Sequence, residues 1–361
     1  MVAASLHILG GQGVQAALLI DGLARDGWQA RLLPIDVRLP PGARWLRWLP
    51  YVRTVVNQAL YLPSLLRLAR TDVVHVFSAS YWSFLLAPAP AMLVGRLFGK
   101  RVILNYHSGE ASDHLQHWGG LVHPWLKLAH EIVVPSPYLR DVFAEHGYTA
   151  RVVPNIVDLS HFRFRERRGL KPQLLSIRNL EPYYRVDVIL RALALVRRRR
   201  PDARLTVAGY GSEERRLREL ADALHIADAV RFVGRTEPDR VPALFDEHDL
   251  FVNASELDNQ PVSILEAFAA GAPVVTTGAG DIPAMVAHGE RGRLVPTDDP
   301  AGLANAVLEL LADEPAALQL ARAARDAIDA FTWPAVRAAW REAYSPAAHV
   351  AYVGHVEEQN T

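Results

Sequence analysis

Short apolar runs alternate with helical patterns along almost the whole chain, in two successive series. The first series runs from LHIL at 6–9 to ARVVPNIVD at 150–158, and the second from QLLSIRN at 173–179 to GRLVP at 292–296. Short strands separated by helices predict βαβ units, in which a parallel sheet is covered by helices on both faces. We therefore predict an α/β fold with two doubly wound, Rossmann-like domains.

The segment 159–172, LSHFRFRERRGLKP, is charged and has no helical or strand period, so we place the link between the domains there. The predicted domains are an N-terminal domain at 1–165 and a C-terminal domain at 166–330. The remainder, 331–361, begins with the helical pattern FTWPAVRAAWREAY.

Composition excludes several classes of protein. The 361 residues carry 39 Lys and Arg against 39 Asp and Glu, so no overall basic field indicates a nucleic-acid partner. The absence of Cys excludes disulfides, thiol catalysis and thiolate metal sites, and fits a cytoplasmic protein. The start, MVAASLHILGG, lacks the basic region of a signal peptide and is predicted to be a strand. No apolar run is long enough to cross a bilayer.

Ligands of doubly wound sheets bind beyond the carboxyl ends of the strands, and the unusual residues of this chain lie there. Two facing domains would bring these loops into one cleft. The loops are 10–13, 78–81, 107–110, 155–158, 178–185, 209–211, 256–260 and 278–281.

One of these loops opens the stretch NASELDNQPVSILEAFAAG at 253–271. Pro261 suits a first helical position and Gly271 a left-handed helix end. Asp258 and Glu266 have seven residues between them, and Ser263 shares a helix face with Glu266. The N-terminus of this helix is suited to an anion such as phosphate. The alternative is an ordinary loop, helix and strand with surface carboxylates.

The first loop contains Gly11, Gly13 and Ala16 between a strand and a helix, with Asp36 twenty residues further on. This spacing matches a dinucleotide-binding fingerprint, so an NAD-dependent oxidoreductase is one hypothesis. The same glycines also suit a structural turn, or a backbone that approaches a sugar or phosphate.

The run NYHSGEASDHLQHW contains His107, His114 and His117, in a spacing that matches no standard zinc site. His107 follows a buried strand and is the histidine that we expect in a site. Glu110 and Asn155 also follow strands, and we expect them in the same site.

Arg178 and Arg185 flank NLEPYY after the first strand of the second series. Two guanidiniums can hold a diphosphate and stabilise its negative charge as it departs. The alternative is a helix-preceding loop with surface arginines.

Segment 38–70 interleaves arginines with aromatic and aliphatic residues, including Arg44, Trp45, Arg47 and Trp48. A basic amphipathic helix can lie on an anionic bilayer, and it can equally line a cleft. Peripheral contact with the inner face of the membrane is therefore one hypothesis for this segment.

Taken together, the chain resembles the retaining glycosyltransferases of family 4, which adopt the two-domain GT-B fold. The resemblance covers nearly the whole chain. It is carried by the order of GGQG, VVPNIVD, LTVAGYGSEERRL, VRFVG, the 253–271 stretch, GAGDIPAMV and HGERGRLVP. The final helical pattern resembles the family's C-terminal helix, which packs back on the first domain.

The resemblance implies roles for individual residues. Asp258 and Glu266 match the family's acidic pair, with Asp in place of the usual Glu; Asp258 would contact the donor sugar and Glu266 the nucleotide ribose. Arg178 matches a diphosphate-binding Arg. The family's nearby Lys is absent, and an alignment puts Tyr184 there, so we expect Arg185 to supply the charge instead.

The resemblance therefore predicts a site with catalytic and substrate-binding residues. It predicts no metal and no cofactor. His107, Arg178, Arg185 and Asp258 are expected to be catalytic. Glu110 and Asn155 are expected on the acceptor side. The residues expected to bind the donor are Gly11, Gly13, Gly209, Gly211, Asn259, Gln260, Pro261, Val262, Ser263 and Glu266.

The predicted function is retaining transfer of a sugar from a nucleotide-diphosphate sugar to a sugar, lipid-linked or other small acceptor, in glycan, glycolipid or exopolysaccharide synthesis. The N-terminal domain would bind the acceptor and the C-terminal domain the donor. The alternatives are the oxidoreductase and a non-catalytic protein that binds nucleotide sugars.

Overall fold

A computed structural model describes residues 1–5, 11–36 and 50–345. Within them the chain divides into two compact units. The first comprises Met1–Pro154 together with the chain from Val336 onward, and the second is Asn155–Ala335.

The first unit is built on a parallel six-stranded sheet. Its strand order is β2-β1-β3-β4-β5-β6. The strands are β1 (Val2–Ala3), β2 (Leu33–Pro34), β3 (Val73–Ser78), β4 (Arg101–Tyr106), β5 (Glu131–Val134) and β6 (Arg151–Val152). The longest pairing, between β3 and β4, runs from Val73 opposite Arg101 to Ser78 opposite Tyr106.

The first unit's helices cover this sheet, and all but the first of them share one apolar core with it. They are α1 (Gly11–Arg25), α2 (Pro50–Ser64), α3 (Tyr81–Leu86), α4 (Pro88–Leu97), α5 (Ala111–His117), α6 (Gly119–Leu126) and α7 (Pro137–Glu145). A 3-10 helix, Leu65–Arg70, continues directly from α2.

The second unit has a parallel six-stranded sheet of its own, with the order β12-β11-β10-β7-β8-β9. Its strands are β7 (Gln173–Ile177), β8 (Arg204–Ala208), β9 (Val230–Gly234), β10 (Leu250–Val252), β11 (Val274–Thr277) and β12 (Arg293–Val295). Its helices are α8 (Val186–Arg197), α9 (Glu214–Ala223), α10 (Val241–Glu247), α11 (Val262–Ala270), α12 (Ile282–Val286), α13 (Pro300–Ala312) and α14 (Glu314–Ala327). Two apolar clusters fill this unit.

The predicted α/β fold with two doubly wound parallel sheets is confirmed. The predicted strand at 6–9 lies outside the described residues, and the described first strand is Val2–Ala3. No helix among the described residues is long and apolar enough to cross a membrane.

The division between the units falls after Pro154, eleven residues before the predicted boundary at 165. The reason is that the intervening segment is bonded into the second unit: Asn155 donates to the carbonyl oxygen of Gln260 at 2.8 Å, and Arg165 donates to the Asp249 carboxylate at 2.7 Å. Just beyond this segment, Arg167 makes further bonds to the same unit. The buried guanidinium of Arg167 donates to the carbonyl oxygens of Phe245, His248 and Ala270 at 2.6–3.0 Å, and to that of Arg165 at 3.1 Å. These carbonyls include the C-terminal ends of α10 and α11, where a cation is favourable.

The last helix, α15 (Trp333–Tyr344), belongs to the first unit from Val336 onward. The Tyr344 hydroxyl lies 2.9 Å from Nδ1 of His75 on β3, and the Arg341 guanidinium donates to Asp26 at 3.0 Å. Arg101 of β4 donates to the carbonyl oxygen of Ala343 at 3.0 Å. Through these contacts the C-terminal helix is bound to the first unit's sheet.

Candidate functional site

The second sheet reverses its winding at β7. Strands β8 and β9 extend the sheet on one side of β7, and β10 to β12 extend it on the other. Such a reversal leaves a crevice at the carboxyl ends of the two strands where the direction changes, here β7 and β10. Arg178 follows β7, and the segment 253–260 follows β10, so both lie at this crevice.

Arg178 and Asp258 form an ion pair there, although 80 residues separate them along the chain. Nε and Nη2 of Arg178 also donate to the Ser255 hydroxyl at 3.3 and 3.4 Å. The guanidinium lies 4.4 Å from the ring centroid of Tyr184, within the range of a cation–π interaction. Tyr184 therefore offers a π face, instead of a second charge, where the resemblance expected Lys.

Burial affects the electrostatics of this pair. The side chains of Arg178 and Asp258 are only 12% and 10% exposed, and burial lowers the pKa of Arg178. The guanidinium nevertheless keeps its charge at neutral pH. An ion pair held in such surroundings interacts more strongly than one in water.

A network of buried polar groups holds Ser255, which accepts hydrogen bonds from Arg178. The sequence did not predict this network. The Ser255 hydroxyl donates to Oδ1 of Asn253 at 2.8 Å, and the Asn253 amide donates to Oγ1 of Thr276 at 3.0 Å. Oγ1 of Thr277 donates to the carbonyl oxygen of Ser255 at 2.5 Å. The signal in the sequence is the presence of polar side chains directly at the ends of apolar strands, in DLFVNAS and PVVTT.

Three glycines allow close approach of backbone at this edge. A Cβ atom at Gly209 would overlap the carbonyl oxygen of Arg178, and one at Gly211 would overlap that of Leu180. Gly280, with φ of 53°, is packed in the same way against the carbonyl oxygen of Asp258. The predicted donor-binding glycines Gly209 and Gly211 therefore have a packing role, which holds the loop that bears Arg178.

The loop before α11 is held largely by its own side chains. The Asn259 N–H donates to Oδ1 of Asp258 at 2.9 Å. The Gln260 side chain accepts from the Asn155 N–H at 2.7 Å, and the Asn155 amide donates to the Gln260 carbonyl oxygen at 2.8 Å. Pro261, predicted at the first helical position, is the extended cap residue, and Val262 begins the helix.

These bonds change two predictions. Asn155, expected on the acceptor side of the N-terminal domain, belongs to the second unit and anchors Gln260. Asn259 was expected to bind the donor, but its N–H is occupied by the Asp258 carboxylate. Within the part of the chain that the structure describes, the N–H groups of Gln260, Val262 and Ser263 have no acceptor.

Helix α11 carries two polar groups without partners among the described residues. The Ser263 hydroxyl is buried and makes no hydrogen bond. Glu266, one turn later, has no hydrogen bond or ion pair, and burial raises its pKa to about 8. At neutral pH this carboxyl is therefore mostly protonated, and it can both donate and accept hydrogen bonds.

Arg185 is engaged elsewhere. Its three guanidinium nitrogens each pair with a different carboxylate: Nε with Asp187 at 3.2 Å, Nη1 with Glu256 at 3.2 Å and Nη2 with Asp298 at 2.5 Å. These bonds raise the pKa of Arg185, and the hydrogen bond to Asp187 has the largest effect. The diphosphate role expected for Arg185 would require these ion pairs to break.

Arg185 also lines a cavity of about 390 Å³ whose walls do not include Arg178 or Asp258. The residues that line it are Pro182, Tyr183, Arg185, Asp187, Arg216 and Glu256. The structure thus joins Arg178 with Asp258 but does not join Arg185 to them.

In the first unit, His107 follows β4, and its N–H donates to the Ser78 carbonyl oxygen at 3.2 Å. Its ring stacks on Phe77 with centroids 5.3 Å apart, and burial lowers its pKa to about 4. The imidazole is therefore neutral at physiological pH, and its buried Nε2 has no partner among the described residues. Glu110 lies at the N-cap position of α5 without a side-chain capping bond, and burial raises its pKa.

The dinucleotide hypothesis is not favoured by this unit. Gly11 and Gly13, predicted in a loop, lie inside α1, and Gly10 lies outside the described residues. The carboxylate of Asp36, which would contact a ribose, accepts from the Ser5 N–H at 2.7 Å and from the Ser5 hydroxyl. Gln12 donates to the Ser78 carbonyl oxygen at 3.0 Å, so the start of α1 is bound to the end of β3.

Two further predictions concern other parts of the chain. Among the described residues, no group of three or more His, Asp and Glu side chains could hold a metal ion. Arg44, Trp45, Arg47 and Trp48, predicted to contact a membrane, lie outside the described residues, whereas the later part of that segment forms α2 and the 3-10 helix.

Comparison with known proteins identifies the family of both units. Residues 9–161 match the family described as "Glycosyltransferase Family 4", and residues 160–327 match "Glycosyl transferases group 1". The two matches together cover most of the chain.

Curated relatives agree with these matches. The chain is 30% identical over 290 residues to a glycogen synthase of Mycobacterium tuberculosis, covering 76% of this chain and 69% of that protein. It is 31% identical over 278 residues to a GDP-mannose-dependent alpha-(1-6)-phosphatidylinositol monomannoside mannosyltransferase of Mycolicibacterium smegmatis, covering 68% of this chain and 72% of that protein.

Solved structures show the same fold at lower identity. Sucrose-phosphate synthase from Thermosynechococcus elongatus matches with a TM-score of 0.74 and 20% identity over 93% of both chains. Anabaena HepE in complex with UDP-glucose matches with a TM-score of 0.72 and 17% identity, over 94% of this chain and 97% of that one. With its sheet topology, its two matching domains and these relatives, the chain belongs to the GT-B glycosyltransferases of the family 4 and group 1 type.

Proposed function

We propose that this protein transfers a sugar from a nucleotide-diphosphate sugar to an acceptor hydroxyl with retention of configuration. The observation that carries the proposal is the grouping at the crevice between β7 and β10. A buried cation, Arg178, is paired there with Asp258 beside a helix that offers the unpartnered Ser263 and Glu266. A diphosphate, a sugar and a ribose need a cation, a carboxylate and a group that binds hydroxyls, and this site has all three.

In the proposed donor complex, Arg178 binds the diphosphate. Its present partner, Asp258, would then turn to the hydroxyls of the donor sugar, so that donor binding replaces one partner of the cation with another. A phosphate oxygen suits this exchange because Arg binds phosphate in a planar, bidentate geometry. The free N–H groups at the start of α11 add partial positive charge for the same anion.

Glu266 is proposed to bind the ribose in its protonated form. A neutral carboxyl donates one hydrogen bond and accepts another, which matches two neighbouring hydroxyls that can each do the same. The raised pKa of Glu266, about 8, supports this protonation state at neutral pH.

The proposed reaction needs no side-chain nucleophile, metal or cofactor. The bond between the sugar's anomeric carbon and the phosphate oxygen breaks, and its electron pair remains on the phosphate. The acceptor hydroxyl forms the new bond on the same face, and its proton passes to the departing phosphate oxygen. Arg178 stabilises the negative charge that develops there, an interaction typically worth about 3–4 kcal/mol in the transition state.

We propose that the first unit binds the acceptor through the loops that carry His107 and Glu110. Neutral His107 has a buried Nε2 without a partner among the described residues, and burial raises the pKa of Glu110. Both groups are suited to hydroxyls. Synthesis of a glycan, glycolipid or exopolysaccharide is the proposed setting.

We place this chemistry in the cytoplasm, peripherally at the inner face of the membrane. The absence of Cys suits a reducing compartment, where disulfides do not contribute to stability.

The names of the relatives support a nucleotide-sugar donor, because one uses GDP-mannose and another was solved with UDP-glucose.

A thermal-shift screen of UDP, GDP and ADP sugars against NAD(H) tests the donor class. A ligand present at 100 times its dissociation constant adds about 2.7 kcal/mol to stability, which produces a measurable shift. We expect a shift with one class of nucleotide sugar and none with NAD(H). Stabilisation by NAD(H) alone would overturn the proposal in favour of an oxidoreductase.

A transfer assay with the donor from that screen then tests catalysis. We expect Arg178→Ala to fold normally and to lose about 100- to 1,000-fold in transfer, and Glu266→Ala to lose donor affinity. Arg215→Ala, which changes a cation that is 91% exposed on α9, is the matched control and keeps wild-type activity. A wild-type protein that binds donor but neither transfers nor slowly hydrolyses it would favour the non-catalytic alternative.

A further inference from the structure

An apolar stripe lies on the solvent side of α2 and the 3-10 helix that follows it. Val52, Val55, Ala59, Leu62 and Leu66 recur at spacings of three and four residues, and all are exposed. This period is the one that normally places apolar side chains against a core. Here the exposed fractions reach 68% for Val55 and 66% for Leu66.

Helix α2 is poorly covered by the rest of the first unit. In its described part, Tyr61 is the one fully buried side chain, with its hydroxyl donating to the Ala87 carbonyl oxygen at 2.8 Å. Asn57 donates to the carbonyl oxygen of Ile35 at 2.8 Å. A helix with so little packing of its own and an exposed apolar stripe is typical of one that meets a further surface.

Helix α4 adds a second exposed strip next to the first. Leu93 and Leu97 lie one turn apart on its solvent side, Phe98 follows, and Leu97 is 74% exposed. The 3-10 helix packs against α4, and both bury their opposite sides in the same core. The two strips therefore adjoin, and we call them together the α2–α4 surface.

Charge is also concentrated on this part of the chain. Between residues 37 and 109 the sequence has a single acidic residue, Asp72. The whole chain has equal numbers of acidic and basic residues, but this stretch has nine basic ones. They are Arg38, Arg44, Arg47, Arg53, Arg67, Arg70, Arg96, Lys100 and Arg101. Arg53, Arg67 and Arg70 are exposed beside the apolar stripe, and none has a carboxylate partner among the described residues.

We propose that the α2–α4 surface docks on an anionic lipid bilayer. The apolar stripe would enter the boundary between headgroups and acyl chains, and the flanking arginines would meet the lipid phosphates. The unpaired cations argue for this occupant over a second copy of the chain. A two-fold contact would bring the same uncompensated cations of both copies to one interface, where like charges oppose association.

This inference deepens the proposed peripheral location and names the surface responsible, but it involves no donor-site residue. It also bears on the acceptor, because a first unit that rests on lipid would meet acceptors at the membrane. A lipid-linked acceptor is thus the class most compatible with the surface.

Vesicle flotation tests the inference with the purified full-length chain and no donor. We expect the wild type to float with vesicles of phosphatidylcholine containing about 30% phosphatidylglycerol, less so at high salt, and not with pure phosphatidylcholine. Arg67→Gln combined with Arg70→Gln should lower partitioning about 30-fold, since each cation at such a surface contributes a factor of about five. Leu66→Gln combined with Leu97→Gln should lower it about 100-fold.

Matched controls separate the surface from general effects. Arg198→Gln with Arg199→Gln removes two exposed cations from the second unit, and Leu121→Gln changes an exposed leucine on α6 outside the surface. Both should float like the wild type. Circular dichroism and the donor-induced thermal shift should be unchanged in every variant, which shows that the fold and donor site are intact.

Three outcomes would overturn the inference. They are a wild type that fails to float, surface variants that float like the wild type, and a wild-type dimer that the leucine variants dissociate without any lipid binding. A protein that floats as expected but binds no nucleotide sugar would instead overturn the proposed function and leave the surface assignment standing.

Discussion

The two units share an architecture but differ in what they bury and expose. Of the thirteen large apolar side chains exposed in the described residues, twelve lie in the first unit and only Tyr183 in the second. Among the described Arg, Lys, Asp and Glu side chains, the second unit buries three, Arg167, Asp249 and Asp281, whereas the first unit buries one, Glu131. A doubly wound sheet can therefore be adapted in two ways, with its polar groups gathered at one edge or with apolar surface left for a partner.

This difference agrees with a division of labour. A donor with charge and many hydroxyls requires buried polar groups that stay in place, which is costly unless each group is bonded. The contacts of Asn253, Ser255, Thr276 and Thr277 meet that requirement. The first unit, which is proposed to bind the acceptor, instead leaves large apolar side chains exposed.

The largest expected effect tests whether the second unit depends on a buried charge. Arg167→Ala removes hydrogen bonds to four carbonyl oxygens and should lower the free energy of unfolding by about 4 kcal/mol. Urea unfolding followed by circular dichroism measures this loss. Arg168→Ala, at a neighbouring side chain that is 74% exposed, is the control and should change stability little. If the two substitutions lowered stability equally, the buried charge of Arg167 would not distinguish the second unit from the first.

The buried carboxyl of Glu266 leads us to expect a pH-dependent effect that is smaller for each pH unit. Its pKa of about 8 in the folded protein lies above the ordinary 4.5, so between these values the folded state holds a proton that the unfolded state has lost. Stability should therefore fall as pH rises through this window, by up to about 1.4 kcal/mol per pH unit. Glu266→Gln should remove that part of the slope, measured by unfolding at pH 5 to 8. An unchanged slope would show that the carboxyl ionises normally.

The smallest expected effect concerns the first unit. Tyr344→Phe removes the hydrogen bond between α15 and His75 and should cost about 1 kcal/mol of unfolding free energy. Tyr183→Phe, at an exposed position in the second unit, serves as the control. A loss as large as that of Arg167→Ala would mean that the first unit also depends on a buried polar contact, and the contrast between the units would weaken.

Much of the fold was predictable because strand and helix periods are local. The apolar runs at 72–80, 101–107 and 204–209 contain β3, β4 and β8, and Gly271 ends α11 with the expected positive φ of 72°. The order of motifs also indicated the family. Arg178 and Asp258 could be singled out, since both follow strands that the sequence predicts.

Contacts between distant residues were not predictable in the same way. Arg185 was expected to hold a diphosphate, but its partners Glu256 and Asp298 lie 71 and 113 residues away. Asn155 meets Gln260 across 105 residues. Arg167 lay in a charged segment without period, and no local pattern shows that its guanidinium is buried against helix ends.

The burial of Arg167 has a consequence for hydrogen exchange. The segment 162–168 contains no helix or strand, yet Arg165 donates to Asp249 at 2.7 Å, and Phe164 lies where a Cβ atom at Gly271 would fall. The Arg165 N–H donates to the carbonyl oxygen of Ala270 at 3.2 Å, so this amide should open only together with the C-terminal end of α11, as part of one cooperative unit. Helix α11, about 13 Å long, has the unpartnered Ser263 near its start and this segment clamped on its end. Ligand binding at Ser263 and Glu266 would thus slow exchange in a stretch of irregular chain a full helix length away.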